Sequence, residues 1–169
     1  MKLYLVDQNP DVATALARAF VSFRNVTVEC ADLLERATHC VVSPANSSGF
    51  MDGGMDGRYL QFFGLEIQRR IQAVISQRPE GTLAVGTATL IRTGNVRIPY
   101  LAAVPTMVAP EAIDPIDVER AMRALLRMRK LYPKEMAVVY CPGLGTGVGG
   151  ISPDEAADRM AAAYKDATL

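Results

Sequence analysis

Apolar and polar positions alternate along the chain in two patterns, short runs that fit buried strands and stripes with helical spacing. Runs of four or five residues predict strands at 3–6, 26–30, 40–43 and 136–140. Thr82 to Thr93 and Ile98 to Val104 predict two further strands, joined through the turn at Gly94-Asn95.

Helical stripes separate these strands. Asn9 followed by Pro10, and Asp114 followed by Pro115, are typical of a helix cap and first turn, and apolar stripes follow at Val12, Leu16, Ala19, Phe20 and Phe23 and at Val118, Ala121, Met122 and Leu125. A capping box at Ser152-Pro153-Asp154-Glu155 predicts the last helix. Another is predicted over about 58–77, with Gly64 inside it. Strands interleaved with helices favour an α/β fold, a three-layer α/β/α sandwich with a mixed central sheet.

Length and composition favour one domain over residues 1–169, because half of the 169 residues are apolar and can form one core. Eighteen basic residues balance eighteen acidic ones, which argues against bulk attraction to nucleic acid. The three cysteines have no C-x-x-C spacing and there is one histidine, so we expect reduced thiols, no metal site and no cofactor. The apolar N-terminal run reaches Asp7 too early for a signal peptide, and no apolar stretch approaches membrane-spanning length. We expect a soluble cytoplasmic protein, or a virion-associated one, that does not bind membranes.

The strongest chemical signal is a glycine-rich loop between the last strand and the last helix. It runs from Cys141 to Gly150 and holds five glycines in its last eight residues. Glycines let a ligand approach the backbone closely, and a helix start offers unpaired N–H groups, so the loop suits a phosphate or diphosphate. A tight structural turn is the alternative, but it requires fewer glycines.

The residues that follow this loop argue against two common classes of nucleotide-binding site. Gly145 to Gly150 matches the G-x-G-x-x-G pattern of dinucleotide-binding Rossmann folds, which need a further strand ending in an acid. The printed sequence ends at Leu169, in or just after the helix, so we expect no Rossmann site. The absence of a G-K-[ST] ending disfavours a P-loop kinase or NTPase.

An earlier loop in the chain, Val41 to Gly57, reads V-V-S-P-A-N-S-S-G-F-M-D-G-G-M-D-G between a strand and a helix. It resembles the macrodomain family (ADP-ribose binding, Appr-1″-p processing), whose segment has an N-A-A-N element, a glycine run and V-D-G. Three more segments resemble this family in the same order: Cys30–Leu33 its G-D-I turn, Ile98–Met107 its central strand and Gly145–Gly150 its diphosphate loop.

The resemblance implies a site for ADP-ribose or an ADP-ribosylated substrate. Asp32 would accept a hydrogen bond from the adenine amino group, and Asn46 would bind the hydroxyls of the distal ribose. Backbone groups of the two glycine loops would wrap the distal ribose and the diphosphate. The implied ligand-binding residues are Asp32, Leu33, Ala45, Asn46, Gly53, Gly54, Met55, Pro105, Gly145, Thr146, Gly147, Val148 and Gly149. Without the resemblance, Asp32 reads as a cap and Asn46 as a turn residue.

Asp56 and Asn46 are the candidate catalytic residues. Asp56 lies where the resembling hydrolases carry an acid, at a helix start whose dipole would keep a carboxylate ionised. There it could orient or deprotonate a water that attacks the anomeric carbon of the distal ribose. A simple charge at a helix N-terminus is the competing interpretation.

The chain departs from the family pattern at four places. Ser43 stands for the first asparagine of N-A-A-N, Pro44 replaces an alanine, and Met51-Asp52 interrupts the glycine run. Gly149 stands where many members place an aromatic residue that packs on the distal ribose.

Three functions therefore stay open. One is hydrolysis of a protein ADP-ribosyl ester, O-acetyl-ADP-ribose or ADP-ribose 1″-phosphate, and another is a non-catalytic ADP-ribose reader. The third is RNA binding or assembly on the same fold, supported by one helix with Arg120, Arg123, Arg127, Arg129 and Lys130. A solvent-exposed helix face explains these cations as well, so a nucleic-acid partner is disfavoured. The sequence does not predict the oligomeric state.

Overall fold

The computed structural model describes residues 1–168 as alternating strands and helices. The strands are β1 (Lys2–Asp7), β2 (Val26–Cys30), β3 (Cys40–Ser43), β4 (Thr89–Arg92), β5 (Tyr100–Ala103) and β6 (Val138–Cys141). The helices are α1 (Pro10–Ala19), α2 (Leu33–Arg36), α3 (Gly54–Phe63), α4 (Leu65–Ser76), α5 (Pro115–Leu131) and α6 (Pro153–Thr168).

The strands form one sheet in the order β2-β1-β6-β3-β5-β4. All neighbouring pairs are parallel except β4 with β5, so the sheet is mixed, as predicted. Leu3 pairs with Val26 on one side and with Val139 on the other, which puts β1 inside the sheet. The carboxyl ends of β1, β6, β3 and β5 therefore meet at one edge, where open α/β sheets bind ligands.

Helices cover both faces of the sheet. Side chains of α1, α5 and α6 pack with Leu3 and Leu5 in one apolar cluster. Side chains of α2, α3 and α4 pack with Val6 and Tyr4 in another. Because successive strand residues point to opposite faces, β1 contributes to both cores. The predicted three-layer α/β/α sandwich is confirmed.

Helix boundaries follow the predicted caps where the cap is a side chain. The Asn9 and Asp114 side chains accept hydrogen bonds from backbone N–H groups of α1 and α5, at 3.0 and 2.9 Å. The predicted helix over 58–77 is instead two helices, because Gly64 has a φ of 81° that interrupts it. Within residues 1–168, no helix has the length and apolarity needed to cross a bilayer.

Two more elements differ from the prediction. The strand expected over Thr82–Thr93 forms only at Thr89–Arg92, because turns and bends occupy its first half. The short helix α2 had no apolar stripe to predict it. It is capped by Asp32, whose Oδ1 accepts a 2.9 Å hydrogen bond from the backbone N–H of Leu34.

Candidate functional site

A cleft of about 330 Å³ opens at the edge where the parallel strands end. Both glycine-rich loops line it, the first (residues 44–57, before and into α3) and the second (residues 142–150, between β6 and α6). Val6, Leu33 and Arg58 line its β1 end. Thr106 and Met107, which follow β5, line the opposite end. The cleft thus joins, in one groove, the two segments that the sequence singled out.

The second glycine loop is held in shape by contacts below the cleft. The backbone N–H of Ile151 donates to the Gly145 carbonyl at 3.0 Å, and the Gly143 N–H donates to Asp7 Oδ2 at 3.0 Å. Gly145 has a φ of 75°, and a Cβ there would lie 2.6 Å from Val118 Cγ2. Both the left-handed backbone and the close approach require glycine at this position.

The backbone N–H groups of this loop have open hydrogen-bonding capacity. Among residues 1–168, no acceptor bonds to the N–H groups of Gly145, Thr146, Gly147, Val148 or Gly149. All five residues line the cleft. A run of unpaired amides in a concave loop is typical of anion-binding sites in proteins.

The start of α3 faces the cleft. Gly53 caps α3 without a side-chain hydrogen bond, and Gly53, Gly54 and Met55 line the cleft. The sequence had suggested the start of α6 for this role. That helix is instead capped by its own Ser152, whose Oγ accepts from the Glu155 N–H at 3.3 Å. The positive end of a helix dipole therefore reaches the cleft through the first loop.

Asp56, in the first turn of α3, is a buried carboxyl group in the cleft wall. The Ser43 hydroxyl, at the end of β3, donates a 2.6 Å hydrogen bond to Asp56 Oδ1. Burial raises the pKa of Asp56 to about 7, although the Ser43 hydrogen bond lowers it, and the Asp52 charge adds to the rise. Desolvation of the carboxylate thus opposes the expected effect of the helix dipole, which was to keep Asp56 ionised.

The Asn46 side chain organises the first loop. Its Oδ1 accepts from the backbone N–H groups of Ser48 and Phe50 at 3.1 and 3.3 Å, and its Nδ2 donates to the Phe50 carbonyl at 2.8 Å. Asn46 also forms a parallel bridge with Met107. Most of its hydrogen-bonding capacity is therefore used within the loop, which leaves one Nδ2 N–H for a ligand.

Asp32 is engaged by side chains at the β1 end of the cleft. Arg58 of α3 forms an ion pair with Asp32 Oδ2, and Gln8 Nε2 donates to the same oxygen at 3.2 Å. Burial raises the pKa of Asp32, but hydrogen bonds from Arg58 and the Leu34 N–H outweigh burial and hold the pKa below its usual value. Asp32 is therefore a carboxylate with its partners already in place.

The Macro domain family model matches residues 42–160, which span both glycine loops. The chain belongs to the macro domain family. An uncharacterised protein of Aquifex aeolicus is 34% identical over 121 residues, which cover 71% of this chain and 68% of that protein. A macro domain-containing protein of Listeria monocytogenes is 25% identical over 141 residues, with 79% and 74% coverage.

Solved macrodomains share the fold. The macrodomain of Mycobacterium tuberculosis DarG superposes with a TM-score of 0.70 at 20% identity, covering 83% of this chain and 90% of that one. The Oceanobacillus iheyensis macrodomain with ADP gives a TM-score of 0.65 at 20% identity, covering 76% and 68%. Thermosipho africanus DarTG in complex with ADP-ribose gives 0.66 at 15% identity, covering 96% of this chain and 49% of that one.

Most of the residues that the sequence assigned to a macro domain site line this cleft. They are Leu33, Asn46, Gly53, Gly54, Met55, Asp56, Gly145, Thr146, Gly147, Val148 and Gly149. Three assigned residues do not line it. Ala45 and Pro105 are buried, and their neighbours Pro44 and Thr106 form the wall; Asp32 is paired with Arg58, which does line the cleft.

Several lining residues were not identified from the sequence, namely Asp7, Gln8, Asn9, Phe50, Arg58 and Thr106. Asp7 to Asn9 directly follow β1, and parallel strands that share a sheet edge bring such residues together. That signal was present in the sequence. Arg58 had none, because its place depends on which face of α3 meets the cleft.

The surroundings of Gly149 leave no room for an aromatic side chain at this position of the second loop. A Cβ at Gly149 would lie 2.8 Å from the Gly145 carbonyl oxygen and 3.0 Å from Ile113 side-chain atoms. The loop therefore excludes a side chain at this position unless both the Gly145 backbone and the Ile113 side chain move. Phe50 of the first loop is the exposed aromatic side chain that lines the cleft instead.

The described residues offer no clear metal centre. No group of three or more His, Cys, Asp or Glu side chains in residues 1–168 is arranged to hold a metal ion. Asp52 and Asp56 both line the cleft, but two carboxyl groups fall short of the ligand set that a hard divalent cation needs.

Proposed function

We propose that this macro domain, one domain over residues 1–169, binds ADP-ribose or an ADP-ribose derivative. The observation that carries the proposal is the convergence of unpaired amides from Gly145–Gly149 and the start of α3 on one cleft. Backbone amides and a helix N-terminus favour a diphosphate. Family membership supports this ligand, as do the similar folds solved with ADP and with ADP-ribose.

The cleft suggests an orientation for the ligand. The β1 end has apolar walls at Val6, Val12 and Leu33, which suit the faces of a nucleobase. The end near β3 and β5 holds Asn46 and Asp56, which suit a sugar with several hydroxyls. With the diphosphate on the amides between them, the distal ribose lies beside Asp56.

We further propose that the cleft hydrolyses an ADP-ribosyl conjugate, with Asp56 as the base. Ser43 occupies Asp56 Oδ1, so Oδ2 remains to accept a proton from water. For a protein ADP-ribosyl ester or ADP-ribose 1″-phosphate, the water oxygen forms a bond to the anomeric carbon of the distal ribose while the bond from that carbon to the conjugate breaks. The leaving group takes the electron pair and Asp56 takes the proton. A pKa near 7 matches a base that works at neutral pH.

A reader that binds without turnover is the second candidate, and Asn46 favours it. The Asn46 side chain already makes three hydrogen bonds inside its loop, which leaves little capacity to hold a ribose for attack. RNA binding gains no support from the arginines of α5. Arg120 pairs with Asp117, Arg123 pairs with Glu119 and Asp166, and Arg127 donates to the Gly86 carbonyl, so much of this positive charge is compensated.

The remaining sequence expectation concerns location. Cys30, Cys40 and Cys141 are free thiols, and Cys30 is exposed. A reducing compartment preserves such thiols, so we propose a cytoplasmic location.

Binding is tested by calorimetric titration of the purified protein with ADP-ribose, ADP, AMP and NAD in parallel. We expect ADP-ribose to bind more tightly than AMP, because it engages the amides and the Asn46 end as well as the nucleobase end. A Gly147→Glu variant, which places a carboxylate among the loop amides, should lose affinity for ADP-ribose. Equal, weak binding of all four ligands would reject the proposal.

Turnover is tested with a protein ADP-ribosyl ester, O-acetyl-ADP-ribose and ADP-ribose 1″-phosphate as separate substrates. Asp56→Asn keeps the side-chain shape and an oxygen for the Ser43 hydroxyl but removes the base. We expect it to bind ADP-ribose with near-normal affinity and to lose at least ~100-fold in rate, the size typical of a lost general base. Asp52→Asn, in the same loop, is the control. If the unmodified protein turns over none of these conjugates, the hydrolase proposal is rejected and the non-catalytic reader remains.

A further inference from the structure

A second groove, which we call the β4 groove, lies beside the last strand of the sheet order. It encloses about 470 Å³ and shares no lining residue with the cleft. Residues 86–90, before and into β4, line it together with Met128 and Leu131 of α5. Arg78, which follows α4, and Arg127 of α5 also line it. The groove thus combines a strand edge, apolar side chains and two guanidinium groups.

One side of the β4 backbone is open. In the described part of the chain, β4 pairs with β5 and is the end strand of the sheet. The Thr93 N–H donates to the Pro99 carbonyl at 3.0 Å, so Thr93 faces β5. Residues of an antiparallel pair alternate between facing the partner strand and facing away from it. Leu90 and Arg92 therefore direct their backbone N–H groups to the open edge.

The charge around this edge is positive. Arg78 Nη2 donates to the Ala88 carbonyl at 3.5 Å, and Arg127 Nη2 donates to the Gly86 carbonyl at 2.7 Å. Within residues 1–168, neither guanidinium group forms an ion pair, and the buried Nε of Arg78 has no hydrogen-bond partner. No Asp or Glu lines the groove. Two cations without a carboxylate partner favour an occupant that carries negative charge.

The open backbone narrows the kind of occupant. An extended peptide can add to a sheet edge as a further strand, with main-chain hydrogen bonds giving affinity and side-chain contacts giving specificity. Leu131, which is 75% exposed, offers an apolar contact to such a peptide. A nucleic acid would meet the arginines but leave the strand backbone without partners. A second copy of this chain would bring the same arginines to the edge, and like charges disfavour edge-to-edge pairing.

We propose that the β4 groove binds an extended acidic segment of a partner protein. The segment adds to β4 as a further strand and pairs with the Leu90 and Arg92 backbone. It places a carboxylate on Arg78 and Arg127 and an apolar side chain on Leu131. Because the groove and the cleft have no residue in common, this interaction goes beyond the proposed function and does not rest on it.

The test selects binders to the purified protein from a phage-displayed library of short random peptides. The enriched peptides are synthesised, and calorimetry gives their dissociation constants for the unmodified protein, for Arg78→Ala, for Arg127→Ala and for the double variant. Arg123→Ala is the matched control on α5, because Arg123 pairs with Glu119 and Asp166 and does not line the groove. Amide hydrogen exchange at Leu90 and Arg92 reports whether a bound peptide pairs with β4.

We expect the enriched peptides to carry an acidic residue and to slow amide exchange at Leu90 and Arg92. The double variant should bind them at least about tenfold more weakly, because it loses charge-assisted hydrogen bonds to the peptide carboxylate. Each single variant should lose part of that affinity. Arg123→Ala should leave the dissociation constants unchanged, and added salt should weaken binding to the unmodified protein.

The proposal is wrong if no peptide is enriched, or if the enriched peptides bind the double variant as tightly as the unmodified protein. If affinity depends on the arginines while exchange at Leu90 and Arg92 is unchanged, the groove binds an acid without an added strand, and the assigned pairing is wrong. A single-stranded RNA of random sequence is the competing probe. RNA binding that needs both arginines, with no peptide enriched, would make the groove a nucleic-acid site. None of these outcomes bears on ADP-ribose binding at the cleft.

Discussion

Ser43 and Asp56 lie 13 positions apart in the chain, and the Ser43 hydroxyl donates a 2.6 Å hydrogen bond to the Asp56 carboxyl group. Ser43 ends β3 and Asp56 lies in the first turn of α3, so the bond connects the sheet to the helix. Ser43 is fully buried and does not line the cleft, whereas Asp56 does. Ser43 is therefore a positioning residue that acts on the ligand only through Asp56.

Ser43→Ala is predicted to destabilise the protein more at pH 8 than at pH 5. At pH 8 the hydroxyl bonds to a carboxylate, and such a bond contributes about 2 kcal/mol, against about 1 kcal/mol for a neutral pair. Urea unfolding at both pH values measures the difference. Ser76→Ala, an exposed serine that bonds to the Ala73 carbonyl, should show no pH dependence. Equal losses at both pH values for Ser43→Ala would contradict the assigned contact.

Asp56 is predicted to make the folded state less stable as the pH rises. Its pKa is 3.8 in an unperturbed chain and about 7 when folded, because burial disfavours the charge. The folded state therefore binds this proton more tightly, and its stabilising effect is complete below pH 4 and lost as the pH rises through about 7. The two pKa values correspond to roughly 4 kcal/mol between these limits.

The measurement is the free energy of unfolding from pH 4 to pH 9 for the unmodified protein and for Asp56→Asn. Asn cannot titrate, so the difference between the two curves should change by several kcal/mol in favour of the variant as the pH rises. Asp52→Asn removes an exposed carboxylate whose charge adds to the rise in the pKa of Asp56, so it should reduce the change with pH only slightly, because burial is the larger cause. Parallel curves for the unmodified protein and Asp56→Asn would show that Asp56 is ionised with an ordinary pKa.

The sequence predicted the sheet and the two glycine loops because these features have local signals. Val26–Cys30 and Cys40–Ser43 form strands with the predicted bounds, and Asn9 and Asp114 cap their helices as expected. The break at Gly64 was harder, because glycine inside a helical pattern is tolerated at a modest cost and breaks the helix only when the fold needs a turn there.

The partners of the site residues were not predictable from local patterns. Asp32 meets Arg58 and Gln8, and Asp56 meets Ser43, only after sheet order and helix orientation are fixed. Local patterns could not predict the raised pKa of Asp56 either, because it depends on burial rather than on position in the helix. Residue identities gave the candidates, and the tertiary structure decided what each one can do.

Gly145→Ala is predicted to destabilise the protein by about 1–3 kcal/mol. The residue has a positive φ, and its Cβ would meet Val118 at 2.6 Å. Gly147→Ala is the matched control in the same loop. Gly147 has no positive φ, and a Cβ there has no neighbour within 4 Å, so we expect its stability to change by less than ~0.5 kcal/mol. Thermal and urea unfolding of both variants check this. Equal losses would mean that the loop is not held against Val118.

Phe50 is predicted to contact the part of the ligand beyond the diphosphate. Phe50 is 53% exposed and lines the cleft, while its backbone N–H and carbonyl bond to the Asn46 side chain. The ring is thus anchored beside the residue expected to meet the distal ribose. When the Phe50 ring packs against a sugar, apolar surface is removed from water, and no part of the protein has to unfold.

Phe50→Ala should therefore weaken ADP-ribose binding by about three- to tenfold, or roughly 1 kcal/mol, and leave AMP binding unchanged, because AMP does not reach this end. Phe62→Ala is the control, since Phe62 is 39% exposed and does not line the cleft. Calorimetry with both ligands measures the effect. If Phe50→Ala weakens AMP and ADP-ribose equally, the ligand lies in the opposite orientation, with its nucleobase beside Asn46 rather than beside Leu33.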